Sequence, residues 1–166
     1  GGGIFTERGS CDLSGSTFTD TKANMGSGGA IFGYGSISVS GSTFTDSTVK
    51  SEGGAIYGKS SISVINSTFT NDIADIGGAV YGYSGAISVI NSTFTNDIAD
   101  IGGAVYGYSV DINVMDSTFI NNSARVGGAI FGSGLSNINV IGSTFNHITA
   151  NANIGGAIYG DGNVNI

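Results

Sequence analysis

The chain has 166 residues, with 30 Gly, no Pro, a single Cys, 10% charged and 40% hydrophobic residues, and a formal net charge of −7. Glycine at this frequency without Pro or a third-position repeat excludes collagen, and apolar residues held in fixed columns exclude a disordered Gly/Ser linker. The acidic balance argues against nucleic acid or an anionic membrane as a partner, and no apolar run approaches the ~18 residues of a membrane span.

Taken in chain order, the first recognisable word is Gly-Gly-Gly-Ile-Phe at residues 1–5. It returns as Gly-Gly-Ala-Ile/Val-aromatic at 28–32, 53–57, 77–81, 102–106, 127–131 and 155–159. Between these copies Ser-Thr-Phe recurs, ending at Phe18, Phe44, Phe69, Phe94, Phe119 and Phe145, with spacings of 26, 25, 25, 25 and 26. A period in the twenties is too short for two packed helices, and these words are too rich in Gly, Ser and Thr for a helical solenoid; a β-solenoid is predicted. Within residues 53–77 the period drops to two: Ile56 stands between Ala55 and Tyr57, Ile62 and Val64 alternate with Ser61 and Ser63, and Phe69 lies between Thr68 and Thr70. Such alternation marks strands with one face buried. The expected fold is all-β: a right-handed parallel β-helix of about six coils of ~25 residues, three short strands per coil, stacked at ~4.8 Å. Residues 1–166 form a single repeat domain, read as an excerpt of a longer repeat protein because the chain starts and stops in mid-repeat.

The inward columns are then Ile/Val at 4, 31, 56, 80, 105, 130 and 158; Ile at 37, 62, 87, 112 and 138; Val at 39, 64, 89, 114 and 140; and the six Phe residues of the structural core. Cys11 aligns with Ile37 and Ile62 and is read as a small buried hydrophobe rather than a reactive thiol. The recurring Gly-Gly pair implies a corner where at least one residue has positive φ, followed by an Ala because a larger side chain would not clear the turn. Its presence in every coil argues against a phosphate cradle, which needs one Gly loop entering a helix.

The outward columns are where function is sought. Thr17, Thr43, Thr68, Thr93, Thr118 and Thr144 precede the Phe residues; Thr19, Thr45, Thr70 and Thr95 follow them, giving way to Ile120 and Asn146. Paired Thr ladders have the pattern of an ice-binding face, against the plainer reading of Thr as a good strand surface residue that hydrogen-bonds along a ladder. The aromatic after each core Ile/Val (Phe5, Phe32, Tyr57, Tyr81, Tyr106, Phe131, Tyr159) is expected to point outward, with Tyr34, Tyr83 and Tyr108 widening the stripe. This column is either a self-stacking ladder sealing the corner or a lateral contact surface, able to stack on sugars or a partner rod. Asp20, Asp46, Asn71, Asn96, Asn121 and His147 form a polar ladder. Lys50, Asp75, Asp100 and Arg125 form a charged column expected to pair Lys50 with Asp75 and Arg125 with Asp100. Asp72, Asp75, Asp97 and Asp100, in two identical turns, are weak calcium candidates, although the calcium-binding nonapeptide is absent. Asn66, Asn91 and Asn121 begin glycosylation sequons. No catalytic or cofactor-binding residue is expected: His147 has no distinct nucleophile beside it, and no coil is long enough to wall a cleft. No cofactor is called for.

Gly-Gly-Ala-Ile followed by Phe-x-x-Asn resembles the repeats of the chlamydial polymorphic membrane protein family and of related adhesin-like right-handed parallel β-helix proteins. The first half matches at 28–31, 53–56, 77–80, 102–105, 127–130 and 155–158. The second matches fully only at Phe119-Ile120-Asn121-Asn122; Phe69-Thr70-Asn71-Asp72, Phe94-Thr95-Asn96-Asp97 and Phe44-Thr45-Asp46-Ser47 lack the final Asn. The resemblance implies a surface-exposed passenger or stalk acting in adhesion or in an external structure. The expectation is a non-catalytic extracellular or cell-surface rod, whose partners are copies of itself, neighbouring domains of the same chain, or host and cell-surface glycans or proteins. The alternative is a filament subunit stacking through uncapped coil ends; an ice-binding solenoid and a polysaccharide-binding or polysaccharide-processing β-helix stand behind both. Identical copies at 67–84 and 92–109 point to growth by duplication, favouring length and repetition over one unique pocket.

Overall fold

The structure is a computed structural model, which describes residues 1–152 and 154–166. It is a parallel β-solenoid, without a helix among the described residues, built on three sheets. The corner sheet stacks Ile4–Thr6, Ile31–Gly33, Ile56–Gly58, Val80–Gly82, Val105–Tyr108, Ile130–Ser133 and Ile158–Gly160. The Ile/Val sheet stacks Cys11–Ser14, Ile37–Ser40, Ile62–Ile65, Ala86–Ile90, Asp111–Met115, Ile138–Ile141 and Val164–Asn165. The Phe sheet stacks the six segments Thr17–Thr19, Thr43–Thr45, Thr68–Thr70, Thr93–Thr95, Thr118–Ile120 and Thr144–Asn146.

Every ladder is parallel, and like residues pair with like. Ile62 sits between Ile37 and Ile87, Phe69 between Phe44 and Phe94, and Cys11 opposite Ile37 as the column alignment requires. A strand slipped by one residue would turn its Ile/Val or Phe to solvent, so burial of one face holds the register. Phe44, Phe69, Phe94 and Phe119 are fully enclosed, and their rings stack 4.7–4.9 Å apart. At the two end rungs the half-buried Phe18 and Phe145 continue the stack.

The corners have identifiable causes. Between the Ile/Val and Phe sheets the chain turns through a left-handed residue, Gly15, Gly41, Asn66, Asn91, Asp116 or Gly142. After the Phe sheet the left-handed residue is Asp20, Asp46, Asn71, Asn96, Asn121 or His147. Asn and Asp tolerate this region because their short polar side chains bond locally. The polar ladder of the sequence is therefore first a conformational requirement.

The Gly-Gly pair answers two separate demands. The first glycine is left-handed, with φ of 66° at Gly53 and 64° at Gly77 and Gly102. The second is needed for stacking: a Cβ on Gly54 would fall 1.9 Å from the carbonyl oxygen of Gly78, and one on Gly78 2.0 Å from that of Gly103. Coils cannot approach to hydrogen-bonding distance there with any side chain present. The following Ala30, Ala55, Ala79, Ala104 and Ala129 are fully buried.

One feature of the coil goes beyond three strands. A fourth, short ladder follows the Phe sheet, seen as Lys22–Ala23 paired with Thr48–Val49, Ser123–Ala124 paired with Thr149–Ala150, and single bridges through Ile73 and Ile98 between them. A further bridge column links Glu52, Ile76, Ile101 and Val126 just before the glycines.

Candidate functional site

The aromatic column lies on the outer side of the corner sheet, opposite the core Ile/Val, as alternation requires. Its rings stack without a break from Phe32 through Tyr57, Tyr81, Tyr106 and Phe131 to Tyr159, at 4.8–5.4 Å, and Phe5 lies tilted by 33° against Phe32. Outer does not mean open. Tyr57, Tyr81 and Tyr106 are only 7–8% exposed and form a second apolar cluster with Phe32, Ile76, Ile101 and Phe131. The segments before Gly77 and Gly102 fold over the column and lay Ile76 and Ile101 against it. Burial raises all three phenols, Tyr57 to about 12, and the Tyr106 hydroxyl shares a 2.7 Å hydrogen bond with Ser133 Oγ. The exposed part of the stripe is the next row out: Tyr34, Tyr83 and Tyr108, with Tyr83 and Tyr108 stacked at 5.5 Å and Lys59 Nζ 4.4 Å from the Tyr34 ring centre. Of the contact surface read from the sequence, Tyr83 and Tyr108 are open, Phe32, Phe131 and Tyr159 half-open, and Tyr57, Tyr81 and Tyr106 closed.

The four calcium candidates do not converge, which corrects that reading. Asp72 and Asp97 point inward and are fully buried, whereas Asp75 and Asp100 lie three residues on, across Ala74 and Ala99, and face solvent. The strand alternation of the fourth ladder sends the two pairs to opposite sides. Among the described residues no three His, Cys, Asp or Glu side chains gather for an ion.

Asp72 and Asp97 instead belong to a column that the sequence reading did not single out: Ser47, Asp72, Asp97 and Asn122, all fully buried. Ser47 Oγ accepts the Thr21 hydroxyl at 3.0 Å, and each of the other three side chains caps the backbone of the coil before it. Ser47 N–H donates to Asp72 Oδ1 at 2.8 Å, Asp72 N–H to Asp97 Oδ1 at 3.0 Å, and Asp97 N–H to Asn122 Oδ1 at 2.8 Å. Asn122 also uses its second atom, donating Nδ2 to the Phe94 carbonyl at 3.1 Å. A carboxylate has no such donor, and Asp72 Oδ2 and Asp97 Oδ2 are buried without a partner. Desolvation pushes the Asp72 carboxyl up to about 7 and the Asp97 carboxyl well above the usual range, with the negative charge of Asp46 adding to the first and that of Asp72 to the second. The signal was available in the family pattern: Phe-x-x-Asn departs from Asn at these two rungs.

A second unanticipated column is the Ser of each Ser-Thr-Phe. Ser42, Ser67, Ser92 and Ser117 are buried; each accepts the N–H of the equivalent Ser one coil earlier at 3.1–3.2 Å and donates to a carbonyl two residues back in its own coil. Its invariance in all six copies was the legible clue.

The outer Asn ladder is paired along the rod: Asn71 donates to Asp46, Asn96 to Asn71 and Asn121 to Asn96, all at 3.1–3.2 Å. The sequon residues Asn66, Asn91 and Asn121 are exposed, yet Asn91 Nδ2 already donates to Asn66 Oδ1 at 2.7 Å. The expected ion pairs of the charged column are not formed. One extra residue in the coil before Gly53 puts Ser51, not Lys50, against Asp75, whose N–H bonds the Ser51 carbonyl. Arg125 and Asp100 are in register but splay apart in solvent. Among the described residues the one ion pair is Lys22 Nζ to Asp20 Oδ1 at 2.7 Å. His147 occupies a left-handed turn position and is exposed.

Comparison with known proteins places one stretch. Residues 116–133, from the last Phe-x-x-Asn word into the following Gly-Gly-Ala-Ile, match the family model of the Chlamydia polymorphic membrane protein (Chlamydia_PMP) repeat. No curated protein and no solved structure matches the chain. The repeat that matches is the one carrying Asn122, so the family word and the fully satisfied rung of the buried polar column coincide.

Proposed function

We propose that this chain is a non-catalytic, surface-exposed rod of an adhesin-like protein, serving as a stalk or passenger segment that carries or contributes a contact face. The observation that carries this reading is the match of residues 116–133 to the polymorphic membrane protein repeat, set within a solenoid whose other coils have the same cross-section. The coil supports a structural role physically. Its core is a set of ladders shared between neighbours, so each rung is stabilised by the rungs on either side and the rod lengthens without a new core.

The contact face in this reading is the exposed row Tyr34, Tyr83 and Tyr108, with the half-buried Lys59 beside Tyr34 adding a cation to the aromatic edges. Its partners are cell-surface glycans or proteins, neighbouring domains, or another copy of the rod. The test is labelling of intact source cells with antibody raised against the 166-residue chain. Labelling of unpermeabilised cells is expected; signal that appears only after permeabilisation sinks the surface assignment.

A further inference from the structure

The outward side of the Phe sheet differs from every other polar surface of the rod. Four successive rungs present two threonines each, Thr17 and Thr19, Thr43 and Thr45, Thr68 and Thr70, Thr93 and Thr95, paired Thr to Thr across the ladder. Two more rungs extend one column through Thr118 and Thr144. No charged side chain stands between the two columns.

The rungs of this face are also evenly spaced. Here the Phe rings between the Thr columns lie within 1–6° of parallel over five successive steps, at separations of 4.7–5.0 Å. The enclosed ring stack sets an even step, so the Thr positions above it repeat along the rod as a two-column grid. Its spacings are about 4.8 Å along the rod and about 7 Å across it, two strand residues apart.

The hydroxyls on this grid are unused. The Ser column binds backbone and the Asn columns bind each other from rung to rung. Among the described residues, no side-chain hydrogen bond within the chain involves the Thr hydroxyls of the Phe sheet, and the side chains are half-exposed over the middle rungs. The plainer reading, that Thr is there to hydrogen-bond along the ladder, is therefore not what the side chains do. What remains is a regular array of hydroxyls interleaved with γ-methyls. Methyls restrict the orientations of first-layer water, and fixed hydroxyls anchor it at repeats near the oxygen spacings of ice surfaces.

We propose that the Thr face of the Phe sheet, centred on Thr43, Thr45, Thr68, Thr70, Thr93 and Thr95, binds ice. Its ligand is the ordered water of a crystal surface, and the departures at Ile120 and Asn146 mark where the two-column site ends. This activity is separate from the adhesive reading and rests on different residues.

The experiment compares the 166-residue chain with Thr45→Lys/Thr70→Lys on the proposed face and with Ser63→Lys/Ser88→Lys on the outward column of the Ile/Val sheet. The readouts are thermal hysteresis, crystal shape and partition into slowly growing ice, with circular dichroism and melting temperature confirming the fold. The parent chain and the Ser variant should enrich in ice, show hysteresis and facet the crystals; the Thr variant should lose hysteresis to the level of an inert protein. Should the Lys pair not fold, Thr45→Ser/Thr70→Ser keeps the hydroxyls and removes two methyls, and a measurable loss of hysteresis is expected. A parent chain excluded from ice, folded Thr variants with undiminished hysteresis, or equal loss in the Ser variant would each overturn the proposal.

Discussion

Two aromatic columns run the length of the rod with the same period, one on each side of the chain's alternation, and they are buried by different means. The Phe column is enclosed by the closure of the coil itself, with Phe44, Phe69, Phe94 and Phe119 wholly without solvent contact. The Tyr column is on the outer side of the corner sheet and is covered by a separate segment that contributes Ile76 and Ile101. Alternation tells which side of a strand a residue takes; it does not tell whether something lies over that side.

The largest expected effect separates closure from cover. Phe94→Ala removes a ring stacked on Phe69 and Phe119 at 4.7–4.9 Å in a site that cannot collapse, because the backbone ladders above and below hold the cavity open. A loss of about 3–5 kcal/mol is expected from denaturant unfolding. Ladder sharing predicts that the end residue Phe18, half-buried with a ring neighbour on one side only, costs clearly less.

The next effect concerns the polar column beside the Phe residues. Where Asn122 supplies a donor to the Phe94 carbonyl, Asp72 and Asp97 supply one only when protonated. Their folded carboxyls titrate above the ordinary value, Asp72 near 7, and desolvation holds Asp97 well above it too. A raised folded carboxyl means that between the unfolded and folded values the folded state holds the extra proton, so stability falls as pH rises through that window. Melting temperature should therefore decline from about pH 4 to about pH 7 and above. Asp72→Asn/Asp97→Asn should flatten this decline and stabilise the rod at alkaline pH by about 1–3 kcal/mol, the cost of leaving buried polar groups unsatisfied. Two parallel melting curves against pH would count against the buried-acid account.

Much of this is legible in the sequence. The 25-residue register, the parallel ladders and the identity of the inward columns follow from Ser-Thr-Phe and Gly-Gly-Ala alone, because ladders of like residues leave one register that buries every Ile, Val and Phe. The polar positions were less legible. Asp72 and Asp75 look alike in sequence, but one faces in and the other out, since the fourth ladder that orients them consists of single bridges through Ile73 and Ile98 too short to show a period. The exposure of Tyr83 and the closure of Tyr81, two residues apart on one strand side, depend on how far Ile76 and Ile101 reach, which no periodicity encodes.

A third substitution tests that cover directly. Ile101→Ser withdraws an aliphatic group packed against the Tyr column and leaves the Phe column untouched. The expected cost is roughly 1–2 kcal/mol, since Ile101 is itself partly exposed. The distinguishing readout is the Tyr81 and Tyr106 phenols, which burial now holds up. Spectrophotometric titration should show them ionising at lower pH in the variant than in the parent chain. Unchanged titration would mean that the stacked rings and not the covering segment exclude the solvent.

The smallest effect on stability is also the one that bears on function. Tyr83 and Tyr108 stack on each other at 5.5 Å but are 48% and 43% exposed, one row beyond the reach of the covering isoleucines. Tyr83→Ser/Tyr108→Ser should shift unfolding by no more than about 0.5 kcal/mol per residue, as for surface positions without a buried partner. Removing exposed rings leaves the Tyr57, Tyr81 and Tyr106 stack intact, so any change in binding to cells or in association between rods reports on the outer row alone. Reduced cell binding with unchanged melting would locate the contact face there. A large fall in melting temperature would instead show that the outer row is part of the corner seal, making the two aromatic columns alike after all.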